Sequence, residues 1–500
     1  MAAAVAALRG TLNSQPQGQQ AVAASDTSAL NIPSSISVSE AFKLSSRPGS
    51  KFKIVLDFDG NTLLNSQWNL FQGMDKIVTG PYDKDGNPAT FNAEEVADIV
   101  AIWRAVAEDY APFDVDVTTL DPGDAALRGV GQKAVIFGGA NSVAGDSAGI
   151  AFINSFGQGA PVYVAADKLG PYNPKYIWEA VSHEVGHALG LLHDGVAPTA
   201  AKPQGEPYFW GQGNWAPIMG VAYYAQVTQF DSGEYPNASN LQDDFAVIAK
   251  HLPRLPQQHG SSFRTATPLT ATAGSAPTVS ASTGASTAMT TASKDGVLTV
   301  SGQTDYLYFA ADAGQATISL EVTPPYGRGS NTRANLKAGA ALYDERGVLL
   351  QNIQPNKTAM AAPPVNVTLP SKGVYYIAVS ALAEGSASAG GFSNYGSLGW
   401  YLLSVTYQST TVDCVGAWGA WGPCSSSCTQ VAEYKVTRPA AGGGAACAVA
   451  DGAQQTQPCS DAAVQRWRLH TKKLRRRLGA MEQLQRSLYA DNNVQGAAAS

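Results

Sequence analysis

Three of the six histidines in this 500-residue chain lie between positions 183 and 193. The run is Val181-Ser182-His183-Glu184-Val185-Gly186-His187-Ala188-Leu189-Gly190-Leu191-Leu192-His193-Asp194. Residues four apart share one helix face, so His183 and His187 can aim their imidazoles at one point. Zn2+ accepts neutral imidazole nitrogens at about 2.0–2.1 Å and keeps a fourth position open for water at a catalytic site. Glu184 then sits beside the metal, where its carboxylate can take a proton from that water. A third ligand has to return from beyond the helix. Gly190 permits this, because glycine adopts the positive φ of a helix-ending turn, and that turn swings His193 round to complete the set. Asp194 has two readings: it hydrogen-bonds backbone near the helix end and steadies His193, or it is a local cap without a chemical role.

The elements that must position these groups can be read from spacing. Asn173-Pro174 is an N-cap and first-turn pair, which starts the histidine helix. Phe52, Ile54, Leu56 and Phe58 alternate, predicting a strand that Asp59-Gly60 stops. Asn92 and Glu95 form a capping box before an apolar stripe of Val96, Ile99, Val100, Trp103, Ala107 and Tyr110, with Pro112 ending that helix. Further strands are expected near 113–117, 134–137, 149–153 and 162–165. The signal Ser239-x-x-Gln242 predicts a helix with Leu241, Phe245, Ile248 and Leu252 on one face. Asp83-Lys84-Asp85-Gly86-Asn87 lacks the spacing and distal Glu of a calcium loop and reads as an exposed turn, so structural Ca2+ is not indicated.

The long form H-E-x-x-H-x-x-G-x-x-H resembles the metzincin zinc endopeptidases, and its His-Asp ending resembles their reprolysin branch. Trp215-Ala216-Pro217-Ile218-Met219-Gly220 looks like the Met-turn of that family, with the Met219 thioether as an apolar floor under the imidazoles, not a ligand. Some metzincins carry a tyrosine ligand two residues after this Met. Here that position is Val221, so no tyrosine ligand is carried over. The resemblance covers about 52–252, and residues 111–118 look most like bacterial or algal secreted relatives. It implies an α+β catalytic domain (a twisted mixed sheet plus helices) at 51–257, and peptide-bond hydrolysis with Glu184 as the base. Substrate is expected to lie extended along an edge strand above the zinc helix, with 149–153 the candidate.

Residues 258–294 are Ser-, Thr- and Ala-rich and are read as a linker that shades into a loose first strand. Strands then recur near 306–310, 317–322, 340–343, 374–379 and 400–407, which predicts an all-β sandwich over 295–408. Asp305–Phe309 and Gly373–Val379 resemble the pre-peptidase C-terminal domain of secreted bacterial peptidases. Next, Cys414, Trp418, Trp421, Cys424 and Cys428 resemble a thrombospondin type 1 repeat at 412–460. That resemblance implies bridges Cys414–Cys447 and Cys424–Cys459, leaves Cys428 without a partner, and makes Arg438 a candidate to stack on the tryptophans. In a module this small, such bridges replace a core. The 461–500 tail carries Lys472, Lys473 and Arg475 to Arg477, with Leu474, Leu478, Met481, Leu484 and Leu488 at helical spacing. It reads as a basic amphipathic helix.

Charged residues are 14% of the chain and the net charge is −6, which gives no reason to expect nucleic-acid binding. No apolar run reaches 18 residues, so no transmembrane segment is expected. All five cysteines lie from Cys414 onward, so none is available upstream to block a metal. Residues 1–50 are read as disordered or as a pro-segment remnant. The start lacks a basic region and Arg9 interrupts its apolar run, which makes it a poor signal peptide. Sequons at Asn237, Asn356 and Asn366 nevertheless suit a secreted glycoprotein. The expected partners are protein or peptide substrates, with matrix or cell-wall glycans at the C-terminal modules. The alternative is a matrix-binding, adhesive protein whose peptidase-like domain is inactive.

Overall fold

The computed structural model describes residues 5–9 (backbone only), 36–139, 141–271, 289–322, 334–357, 359–459, 473 and 476–484. It is mostly strands with some helices, and it divides into two compact units, Met1–Ser409 and Thr410–Ser500.

In the first unit, strands β1 (Val5–Arg9) and β2 (Lys53–Asp57) are followed by the hairpin β3 (Asn61–Leu64) and β4 (Lys76–Thr79). Then come β5 (Asp116–Thr118), β6 (Gly131–Phe137), β7 (Ser147–Phe152) and β8 (Val162–Ala165). Six of these make one mixed sheet in the order β1-β7-β8-β6-β2-β5. β5, β2, β6 and β8 run parallel, whereas β7 runs antiparallel to β8, and β1 antiparallel to β7. Both faces of β6 are buried, as expected for a strand covered on two sides.

The helices of this region are α1 (Val38–Ala41), α2 (Gln67–Gln72), α3 (Ala93–Asp109), α4 (Asp124–Leu127), α5 (Pro174–Ala188) and α6 (Asp244–Ile248). Ile54, Leu56, Ala134, Ile136, Val162 and Val164 turn one sheet face toward α3 and α5, which contribute Ile99, Ile102, Val106, Ile177, Val181 and Val185. The other face packs Val135, Phe137, Ile150, Phe152 and Tyr163 on Trp68 of α2. Helix α3 begins as the sequence predicts. The Asn92 side chain accepts from the amides of Glu94 and Glu95, and Glu95 returns the bond to the Asn92 amide at 2.8 Å, an arrangement that contributes about 1 kcal/mol.

The lower part departs from expectation. Helix α6 is capped by Asp243, which accepts from the Ala246 amide at 2.9 Å, and not by Ser239. Leu241 is 75% exposed, so it is not on the buried face with Phe245, Ile248 and Leu252. The physical reason is competition for Gln242. Its side-chain oxygen accepts from the Leu192 amide at 2.9 Å and its amide donates to the Gly190 carbonyl at 3.1 Å. Residues 239–242 therefore serve the end of α5 rather than the start of α6.

Two five-stranded sheets complete this unit. One is ordered Thr267–Pro268, Thr304–Ala311, Gly373–Ala381, Ala338–Tyr343, Leu349–Ile353. The other is Thr270–Ala271, Met289–Leu298, Gly399–Gln408, Gly314–Glu321, Val365–Leu369. Leu307, Phe309, Ile377 and Val379 from the first share a core with Ile318, Leu320, Leu403 and Val405 from the second, giving a sandwich. The linker reading of 258–294 needs correction at both ends. Thr267–Pro268 and Thr270–Ala271 pair into the two sheets, and Met289–Leu298 forms ten register pairs with Gly399–Gln408. Ser and Thr are compatible with an exposed sheet edge, which composition alone does not separate from a linker. The middle of that stretch, 272–288, lies outside the described residues.

The sandwich is joined to the first region within the same unit. The Asn335 amide donates to Glu108 Oε1 at 2.5 Å, and its side chain donates to Asp109 Oδ1 at 2.6 Å, both at the end of α3. The Tyr395 hydroxyl accepts from the Phe245 amide and donates to Asp243 Oδ1 at 2.6 Å, and Leu398 is part of the first region's core.

The second unit has a three-stranded sheet of Val415–Trp418, Thr429–Arg438 and Gln454–Pro458. Cys414 pairs with Cys447 and Cys424 with Cys459, while Cys428 is a free, exposed thiol. Val412, Cys424 and Ala432 are its buried apolar residues among those described, so the bridges substitute for a core. Trp418 meets Tyr434 edge-on at 5.3 Å, and Arg438 donates to the Asp413 carbonyl at 3.3 Å. In the tail, residues 476–484 are helical with Leu478, Met481 and Leu484 exposed. The disordered reading of 1–50 needs correction at 36–50, where Val38–Ala41 is helical, Ala41 is buried in the first core and Ser45 and Arg47 bond Asp116 and Asp114. Lys472, Leu474, Arg475 and Leu488, the body of that segment (10–35) and the remaining tail fall outside the described residues. Among the described residues, no helix is long and apolar enough to cross a membrane.

Candidate metal centre

The site is built on the last two turns of α5. Asn173 caps the helix by accepting from the Lys175 amide, and Pro174 occupies the first helical position. At the other end Gly190 has φ +102°. The Gly190 amide donates to the His187 carbonyl and the Leu191 amide to the Gly186 carbonyl, both at 2.9 Å. This paired closure is a Schellman turn, which reverses the chain so that His193 faces back to the helix.

The three imidazoles converge. Rings of His183 and His187 lie 4.7 Å apart, His187 and His193 4.7 Å, and His183 and His193 5.2 Å. One ring nitrogen of each lies within 4.8 Å of the other two. His183 Nδ1 is bonded to the Ile218 carbonyl and His187 Nδ1 to the Leu191 carbonyl, each at 2.8 Å. A carbonyl only accepts, so both Nδ1 atoms carry the proton and both Nε2 atoms present a lone pair. All three Nε2 atoms are buried without a hydrogen-bond partner.

Electrostatics keep the rings neutral. Burial, then the neighbouring His187 and His193, holds His183 well below the usual histidine range. Burial and His193 bring His187 down to about 3, and burial brings His193 to about 4. Buried acceptors left unpaired cost free energy unless something binds them. Three neutral imidazoles with converging lone pairs therefore fit a divalent transition metal.

Glu184 adjoins this donor set. It is fully buried, both carboxylate oxygens lack a partner, and burial pushes its pKa well above the carboxylate range. The side chain is packed beneath β7, where a Cβ built on Gly149 would approach Glu184 Cδ to 2.9 Å. Only glycine leaves that space on the strand.

Met219 is buried under the helix. A Cβ on Gly186 would stand 2.6 Å from the Met219 sulfur, so Gly186 is the gap that the thioether fills. The surrounding turn holds the site from below. The Met219 carbonyl accepts from the Asp194 amide at 2.9 Å, and β9 (Trp215–Pro217) pairs in parallel with β10 (Val227–Gln229). Asp194 is buried. Its carboxylate takes the Asn240 amide at 3.2 Å, and that amide also reaches the Leu192 carbonyl. Asp194 thus ties down 192–194 through Asn240, which neither sequence reading included.

Other groups escaped the sequence reading. Tyr208 lies with its ring 4.4 Å from His193 and 6.2 Å from His183. The Tyr223 hydroxyl is buried without a hydrogen-bond partner, and its pKa is raised by burial and then by Glu184. No spacing rule marks either residue. Gly149 and Gly186 carried a usable signal, because glycine inside a strand or helix is costly without a packing reason.

The remaining candidates are scattered. Asn237, Asn356 and Asn366 are exposed, and Asn366 accepts from Thr317 Oγ1 at 2.8 Å. The carboxylates of Asp83, Asp85 and Glu95 do come together. They are engaged within their own loop, through the Gly86, Asn87, Lys84 and Asn92 amides.

No protein-family model and no curated protein matches the chain. Among solved structures it is similar to PliG of Aeromonas hydrophila, a periplasmic lysozyme inhibitor of g-type lysozyme, at 18% identity over 23% of this chain and 84% of that one. The TM-score is 0.16, and a likeness of that size carries no argument about fold or function.

Proposed function

We propose that the chain is a secreted zinc-dependent endopeptidase of the metzincin type. The observation that carries this reading is the convergence of three buried, unpartnered imidazole Nε2 atoms beside an unpartnered buried carboxylate. His183, His187 and His193 would hold the ion. Zinc, when bound, supplies a Lewis acid and lowers the pKa of a water toward ~7. The Nδ1 bonds to Ile218 and Leu191 hold two of the rings in the tautomer that such an ion needs. Glu184 takes a proton from the attacking water and delivers it to the leaving amine nitrogen. A carboxyl whose pKa is raised by burial suits both halves of that transfer. Water is excluded from its flanks by Gly149 of β7 and by the core beneath α5.

The substrate is an extended protein segment. The edge strand expected at 149–153 is not an edge, because β7 pairs with β1 on one side and β8 on the other, so strand addition is not assigned to it. The peptidase domain corresponds to 51–257, the pre-peptidase C-terminal-like sandwich to 295–408 and the thrombospondin-like repeat to 412–460. Two disulfides and exposed sequons suit an oxidising, extracellular location. The C-terminal modules would direct the enzyme to matrix or cell-wall material.

The test is zinc content and cleavage of unfolded casein by the purified full chain and by Glu184→Ala. The expected result is one zinc per chain in both, with cleavage only in the first. A chain that takes no zinc ends the reading. A chain that takes zinc yet cleaves nothing is the adhesive alternative.

A further inference from the structure

Asn335 stands between Ala334 and Leu336, two residues fixed in the sandwich core. Three of its polar groups leave the sandwich. Its amide and side chain donate to Glu108 and Asp109 at the end of α3, and its carbonyl accepts from Gln229 Nε2. Two of these contacts lead on to His183. The other carboxylate oxygen of Asp109 takes the Ser182 hydroxyl at 2.5 Å, and the Tyr110 hydroxyl donates to the Ser182 carbonyl at 3.0 Å. The end of α3 thus grips α5 at the residue before His183. On the other side, the Gln229 carbonyl accepts from the Ile218 amide at 2.8 Å, and the Ile218 carbonyl is the acceptor for His183 Nδ1. Gln229 Oε1 also accepts from Trp215 Nε1 at 2.9 Å, and Trp215 packs in the sandwich core. Ser182, Ile218 and Gln229 are all buried, so water does not compete for these bonds. His187 is held differently. Its Nδ1 bonds to Leu191, four residues on, within the turn that ends α5.

We propose that Asn335 of the β-sandwich is a positioning residue for His183, holding that imidazole from two sides, through Asp109 and Ser182 and through Gln229 and Ile218. The sandwich is then part of the metal centre's framework. In calling His183 a ligand, this rests on the metal reading, and it does not depend on peptide hydrolysis. The groups that orient a metal-binding imidazole set its tautomer and direction, and their loss lowers metal affinity. A chain of contacts is only a route for such an effect, and a selective change at the far end demonstrates it. Here the selectivity is fixed in advance. The His183 ring depends on partners outside its own helix, and the His187 ring on its own turn.

The test uses the full chain, Asn335→Ala, Gln229→Met, and Asp305→Ala as a control that weakens the sandwich without removing any of these contacts. Zinc affinity is measured by competition with a chelator. In the zinc-free chains, solvent exchange of the Nδ1 protons of His183 and His187 is followed by nitrogen NMR of histidine-labelled protein. Asn335→Ala and Gln229→Met should each weaken zinc binding by about tenfold, the lower end for outer partners of a metal ligand. Both should speed exchange of the His183 proton and leave that of His187 unchanged. Asp305→Ala should lower the melting temperature and move neither readout. If Gln229→Met does not fold, Asn335→Ala decides alone, because Asn335 is only partly buried. Unchanged zinc affinity in Asn335→Ala, equal acceleration at both rings, or an equal loss of zinc in Asp305→Ala would each overturn the proposal. A parent chain that takes no zinc removes the metal reading, and the two proton rates then decide whether the sandwich holds His183. Zinc bound without cleavage removes the peptidase reading and leaves the positioning role standing.

Discussion

The metal centre and the sandwich both bury polar groups, and they treat them in opposite ways. In the sandwich, Asp305 is fully buried and accepts from Gln257, Gln303 and Tyr401 at 2.8–2.9 Å. Lys337, also buried, donates to the carbonyls of Asn356, Lys357 and Ala359 and to Glu384. At the metal centre, three imidazole nitrogens and both oxygens of Glu184 have no partner. A buried polar group that is fully bonded specifies structure. Buried groups that converge and remain unbonded cost stability, and they persist where a ligand completes them. The contrast locates function in a way that burial alone does not, because Asp305 and Glu184 are equally inaccessible.

The largest expected effect sharpens the functional side. Glu184→Gln should lower kcat by about 10²–10⁴, with zinc content and melting temperature held or raised, since an uncharged side chain is easier to bury. A large drop in melting temperature would mean that Glu184 is bonded after all. Asp305→Ala should do the reverse. Two buried donors, Gln303 and Tyr401, lose their acceptor, at about 1–3 kcal/mol for each left unsatisfied. The melting temperature should fall by several degrees, and kcat per folded molecule should not change.

Gly186→Ala tests the boundary between the two kinds of site. Its methyl meets the Met219 sulfur, and overpacking of this sort costs about 1–3 kcal/mol. Both stability and zinc affinity should decline, measured by calorimetry and by competition with a chelator. A pH-dependent effect concerns Asp57, whose pKa is raised to about 7, first by burial and against the pull of Lys133. The folded chain binds this proton more tightly than the unfolded chain. That contribution is complete below about pH 4 and is lost as the pH rises through about 7. Asp57→Asn should therefore gain stability relative to the parent between pH 4 and pH 8 in urea melts. A constant offset across that range would refute the assignment.

Legibility followed the range of the interaction. The starts of α3 and α5, the positive φ at Gly190 and the strands β2, β5, β6, β7 and β8 depend on neighbours in sequence, and capping and alternation reveal them, whereas the β3–β4 hairpin went unread. The convergence of His193 was also readable, since a single glycine turn delivers it. What escaped reading was set by distant partners. Gln242 left its expected capping role to bond with Gly190 and Leu192. Two strands at sheet edges also went unread: Leu349–Ile353, whose sequence does not alternate, and Val365–Leu369, whose Val-Asn-Val-Thr-Leu does alternate and carried a usable signal. Tyr208 and Tyr223 reach the site from a loop whose path no local rule predicts. The pairing of β1 had no local signal either, because an Ala-rich segment becomes a strand only beside a strand in need of a neighbour.

The contact of Asn335 with the end of α3 bears on how such a protein can be inherited. Glu108 and Asp109 take their partner from a residue more than two hundred positions away, and Leu398 fills part of the same interior. Recombination that moved the histidine segment into another gene without its β-sandwich would take the Asn335 bonds from both carboxylates, leave Asp109 its bond from Ser182, and open the interior that Leu398 helps fill. The pair should therefore travel between genomes as one cassette.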